Sequence, residues 1–131
     1  MHLIFCAHPL LPSVVDPGYA EEVRAASRLG ITHSLINFEA LVHEGDATRA
    51  VRRGAAQSDR RLALYRGWML RVEQYQQLYA TLAERDIRLI NDPEAYRHAH
   101  HFPEAYPLIA PYTPPFRLAH YGRRPLPRQD H

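Results

Sequence analysis

LALYRGWMLRVEQYQQLYATLAERDIRLIN, residues 62–91, is the stretch whose reading decides the fold. Leu62–Tyr65 is a short apolar run of the kind that forms a buried strand. Tyr75, Leu78, Tyr79 and Leu82 then recur at i, i+3, i+4 and i+7, the period of a helix packed on one face. Arg85-Asp86 turns the chain into another apolar run, Ile87–Ile90. Strand, helix, strand in that order predicts a right-handed parallel unit. Arg66-Gly67-Trp68 falls at the sharp turn that leaves its first strand, where open α/β sheets hold ligands.

Working upstream, Leu3–Ala7 is an apolar run bounded by His8-Pro9 and reads as the first strand. Pro9 and Pro12 keep the following segment irregular. Asp16-Pro17 matches a helix cap followed by proline in the first turn. Glu21 and Glu22 sit near the positive helix end, and Gly30 supplies a stop. The helix Gly18–Leu29 has only Ala20, Val23, Ala25 and Ala26 to pack, so it lies close against its sheet. Thr32–Asn37 is the second strand. Between Ala40 and Arg61 the pattern is weak: Asp46 caps a short helix through Val51, and Arg52–Arg61 reads as a loop. Downstream, Asn91-Asp92-Pro93 repeats the cap-then-proline signal and opens a helix to about His100. Glu104–Ala110 reads as one further turn. Seven of the eleven prolines lie between Pro103 and Pro127, each removing a backbone donor. The prediction is a small α/β domain over residues 1–114, followed by a Pro-rich irregular tail over 115–131. Its sheet has four mainly parallel strands in the order 2-1-3-4, with helices on both faces.

The 131 residues suffice for one domain with a real core. A formal net charge of +2 is too small to argue for nucleic acid. The eight tyrosines are spread along the chain and form no stacking platform for RNA. All sixteen basic residues are arginine, so no lysine is present to hold a phosphate or form a Schiff base. Neither GxxxxGK[ST] nor GxGxxG occurs. No apolar run is long enough to span a bilayer, and no signal peptide precedes the first strand. With a single cysteine and hence no internal disulfide, the expectation is a cytoplasmic protein without a membrane partner.

Ala63–Leu70, Glu73-Gln74-Tyr75, Ile90–Tyr96 and Pro103–Ile109 resemble, in that order, the amino-terminal region of bacterial ATP-grasp proteins. Asp16-Pro17 and the segment from Gly45-Asp46 to Arg53 are similar too, so the resemblance covers roughly residues 1–114. It implies a pre-ATP-grasp, Rossmann-like domain placed before the nucleotide-binding lobes of an ATP-dependent carboxylate–amine ligase. Those lobes carry the lysines and metal-binding carboxylates of the family, and with them ATP and Mg. Here the chain ends soon after the resemblance fades. The resemblance therefore implies a truncated or split protein, catalytically incomplete alone; the Arg/Pro/His-rich ending, of the kind a GC-rich gene gives when read out of frame, adds a frameshifted fragment as an alternative origin. The cofactor expectation is none for this chain by itself. The partners it implies are the lobes on a separate chain or a second copy, with a small carboxylate or amine as substrate.

The order of strands brings the His8–Asp16 loop near Arg66-Gly67-Trp68, and each residue there has two readings. Arg66 either binds a carboxylate or phosphate bidentately or pairs with a local acid. Trp68 either contacts a ligand or covers the sheet edge, and Gly67 permits close backbone approach. Asp16 and Asn91 either face a ligand or serve only as caps. These five are the candidate substrate-binding residues; no catalytic residue is assigned. His98, His100 and His101 are dense, but without a complementary Cys, Asp or Glu they do not predict a metal site. Cys6 lies within an apolar strand and reads as a buried small residue rather than a nucleophile. The competing reading of the chain is a stand-alone module that binds a small anion or a protein partner in the same crevice.

Overall fold

The computed structural model describes residues 1–53, 61–100 and 102–115. Four strands form one sheet: β1 (His2–Cys6), β2 (Thr32–Ile36), β3 (Arg61–Tyr65) and β4 (Ile87–Leu89). Their order is β2-β1-β3-β4, and every pairing is parallel. His2 lies opposite Thr32 on one side and Ala63 on the other; Ala63 in turn lies opposite Leu89. The α/β class and the strand order expected from the periodicities are therefore those of the molecule.

Side chains alternate across a strand, so this register sorts them onto two faces. Ile4, Ile36, Ala63, Ile87 and Leu89 share one face, all buried. They pack with α2 (Phe38–Val42), α3 (Ala47–Ala50) and α4 (Val72–Ala83) in the main core. Tyr75, Leu78 and Leu82 of α4 are buried, and burial stabilises by about 1.5–3 kcal/mol for each large apolar side chain. Tyr75 stacks flat on Tyr96 of α5 (Pro93–His100), with centroids 3.8 Å apart. The Tyr96 hydroxyl closes this layer by bonding both the N–H and the carbonyl of Leu70. Leu3, Phe5 and Leu35 point to the opposite face, where they meet Tyr19 and Val23 ahead of and within α1 (Ala20–Arg28).

Local boundaries depart from expectation in three places. Asp16 caps a 3-10 turn, Pro17–Tyr19, before α1 begins at Ala20. A helix over Phe38–Val42 was not anticipated; Asn37 starts it by accepting the Ala40 N–H, an unmarked signal in sequence because asparagine is equally a turn former. The segment read as a single turn from Glu104 is a helix, α6 (Phe102–Ile109), that contains Pro107 after all. Pro107 is the sixth residue of α6, past the first turn, so it removes one backbone bond within the helix.

Contacts divide the chain into a compact unit Met1–Arg97 and a second that starts at His98. The second unit holds, among its described residues, α6 and a 3-10 turn over Ala110–Tyr112. The expected irregular tail falls, from Phe116 onward, outside the described residues. Among the described residues no helix is long and apolar enough to cross a membrane.

Candidate functional site

Parallel strands deliver their carboxyl ends to one edge, and the loops after β1 and β3 are neighbours there. The β1 loop folds back on itself: Ala7 bridges Val15, and the Asp16 N–H returns to the Cys6 carbonyl at 2.9 Å. Asp16 is thereby held at the rim. One carboxylate oxygen accepts the Gly18 N–H at 2.8 Å, and the other accepts the Trp68 indole N–H at 3.2 Å. Four of the five candidate residues, Asp16, Arg66, Gly67 and Trp68, are thus brought together. Asn91 lies at the end of β4, where its carbonyl accepts the Tyr75 hydroxyl at 2.8 Å. The neighbouring helix is capped by Asp92, which accepts the Ala95 N–H.

The rim is largely satisfied from within. Arg66 donates from Nε and Nη2 to the two carboxylate oxygens of Glu22, at 2.7 and 2.8 Å. Its guanidinium also lies 5.4 Å over the Tyr19 ring. Tyr19 in turn meets Trp68 edge-on, with centroids 5.2 Å apart. Both partners of Arg66 come from the turn and helix that follow β1, three residues apart, and sequence reading missed them as site residues. Glu22 had been assigned only to the helix dipole. The available signal was positional: the first turn after β1 must open onto the same edge as the β3 turn. Trp68 remains 48% exposed, so about half of its surface is accessible at the rim.

Gly67 has a different role from the one its position suggests. A Cβ there would fall 2.5 Å from the Tyr65 hydroxyl and 2.6 Å from the Cys6 sulfur. The close approach it permits is to this buried pair. Tyr65 donates to the Trp68 carbonyl at 2.7 Å, which leaves the Cys6 thiol to donate to the Tyr65 oxygen at 3.6 Å. Burial pushes both groups up from their ordinary pKa values, so both stay neutral at physiological pH. A buried neutral thiol is a poor nucleophile. Cys6 acts as packing beneath the rim.

A second cluster stands at the end of β2, where sequence reading placed a short helix through Val51 and a loop from Arg52, but no site. Arg49, Arg52 and Arg53 line a cavity of about 230 Å³ together with Pro12, Leu35, Asn37 and Ala50. Among the described residues no three His, Cys, Asp or Glu side chains are placed to hold a metal; His101 lies outside them.

Comparison of the chain with protein-family models, with curated proteins and with solved structures finds no match. The class defined by fold and site is an α/β domain with a parallel sheet and a built rim at its carboxyl edge.

Proposed function

We propose that this chain is the amino-terminal, substrate-side domain of an ATP-grasp carboxylate–amine ligase, incomplete as a catalyst on its own. The supporting observation is the junction of the β1 and β3 loops, where Asp16 holds Trp68 and Arg66 stands on Tyr19. That rim presents a guanidinium, two carboxylates and a half-open indole. Opposite charges side by side match a small amino-carboxylate, whose two ends need both signs. Nη1 of Arg66 makes no bond among the described residues and is the donor for the incoming carboxylate. Glu22 and Asp16 then face its ammonium. The order of sequence blocks shared with ATP-grasp proteins supports the ligase assignment. So does the absence of lysine, which leaves ATP and Mg to lobes outside these 131 residues. Leu10, Leu11 and Met69, exposed on the carboxyl-edge loops, offer apolar surface for such a partner.

Thermal shift and calorimetry on the full chain test this. Glycine or another small amino acid stabilises the fold saturably, Arg66→Ala weakens that binding at least about tenfold, and MgATP is neither bound nor hydrolysed. ATP turnover by the chain alone would refute incompleteness, and the lack of any amino-acid or carboxylate effect would remove the rim as a site. The exposed loop residues also favour a second reading, a stand-alone module with a protein partner. A gene immediately downstream that encodes lysine-bearing lobes and restores ligase activity on mixing decides for the first reading.

A further inference from the structure

The cavity at the end of β2 is set apart from the rim by its charge. Arg49, Arg52 and Arg53 line it, and among the described residues no carboxylate does. Only Arg49 has an acidic partner, Glu44. Arg52 and Arg53 have none among the described residues, and both are exposed.

The backbone that leads to them is held in place. The Asn37 N–H donates to the Ala50 carbonyl at 2.9 Å, and Asp46 caps α3 through the Arg49 N–H at 2.8 Å. Val51 is fully buried, and its carbonyl accepts Nη1 of Arg85 at 2.8 Å. The backbone is therefore held up to Val51, directly before the two arginines. Three like charges around one cavity repel each other, a cost that a bound anion removes.

The other lining groups agree with an anion. Asn37 uses its side-chain oxygen to accept the Ala40 N–H at 3.0 Å, so its amide NH2 is left as the donor that lines the cavity. Pro12, Leu35 and Ala50 add an apolar wall. The volume, about 230 Å³, falls below the roughly 300–1,000 Å³ of pockets for drug-sized ligands. It suits a single small group.

We infer that this cavity is a phosphoryl-binding site, in which Arg52 and Arg53 hold the oxygens and Asn37 adds a neutral donor. Arginine forks match phosphate geometry, and guanidinium groups with no acidic partner among the described residues hold it without exchanging one. Arg49 joins by exchanging Glu44 for the ligand. The site is separate from the rim and does not depend on the ligase reading.

Titration of the full chain with inorganic phosphate and with ribose 5-phosphate, followed by amide chemical shifts, tests the assignment at constant ionic strength. Saturable shifts are expected at Asn37 and Arg49–Arg53. The Arg52→Gln/Arg53→Gln double variant should weaken binding at least about tenfold. An Arg28→Gln/Arg88→Gln control, two exposed arginines elsewhere, should leave it unchanged. Tighter binding of the ester than of phosphate identifies a phosphorylated metabolite that uses the apolar wall; equal binding identifies the free ion. Equal losses in both double variants, or the same shifts with sodium chloride alone, would overturn the site. Because all four arginines are exposed, a change in fold is not expected, and the melting temperature of each variant verifies that.

Discussion

The two clusters at the carboxyl edge of the sheet use the same residue type to opposite effect. At the β1–β3 rim, Arg66 is held by both oxygens of Glu22 and rests on Tyr19. At the end of β2, Arg52 and Arg53 line a cavity that, among the described residues, no carboxylate lines. The first arrangement balances its own charge and organises surrounding aromatic groups. The second leaves Arg52 and Arg53 without an acidic partner among the described residues. An arginine at a ligand-holding position is therefore a weak signal of anion binding by itself. Its partners decide what it can still do.

The largest expected effect comes from disturbing what lies under the rim. Gly67→Ala sets a methyl against the Tyr65 hydroxyl and the Cys6 sulfur. Denaturant titration should show a loss of about 1–3 kcal/mol, the usual range for overpacking, whereas phosphate shifts at Arg52 and Arg53 persist. A loss at both places would mean that the two regions are not independent. A smaller effect follows from Glu22→Gln. The pair with Arg66 is half exposed, so stability should change by less than about 1 kcal/mol. With the carboxylate gone, the rim should prefer acetate over glycine, the reverse of the unmodified chain, in calorimetric competition. An unchanged preference would show that Glu22 is not what balances Arg66 against anions.

The last and smallest effect arises at the other end of the sheet and serves as a reference for both clusters. His2 is buried, with its ring nitrogens bonded to the Thr32 and Ser34 hydroxyls at 2.9 and 3.0 Å. Burial lowers its pKa from the ordinary value, helped by Arg61, His33 and the amino terminus. The unfolded chain then binds the proton more readily than the folded one. The stabilisation is full above an unfolded-state pKa of about 6.5 and is lost as pH falls through the lower folded value. Urea midpoints between pH 7.5 and 5 should fall accordingly, and less so in His2→Gln. An identical fall in that variant would assign the acid sensitivity to other groups.

Much of the fold was legible because its signals are local. The heptad-like spacing of Tyr75, Leu78 and Leu82 depends only on helix geometry, and these residues are buried where that spacing places them. Asp16, Asp46 and Asp92 cap the turns they precede, each bonding an N–H two or three residues on. Asn37 does the same for α2, yet that helix was missed because a five-residue element carries too little periodicity to read. The candidate site was legible only in part. The β1 and β3 turns were matched by strand order, so Asp16, Arg66, Gly67 and Trp68 were named together. Glu22 was not, because its partner lies 44 residues away and no local pattern links them.

From the sequence alone came the repeating strand–helix–strand plan, the caps, and the lack of any lysine or phosphate loop; each is a property of neighbours along the chain. Tertiary structure alone decided which arginines keep their charge for a ligand. Arg66 meets Glu22, and Arg52 and Arg53 come to line one cavity with Asn37 and Pro12, only after the sheet has aligned four carboxyl ends along one edge. Electrostatic balance depends on distance in space, and the order of residues does not record it.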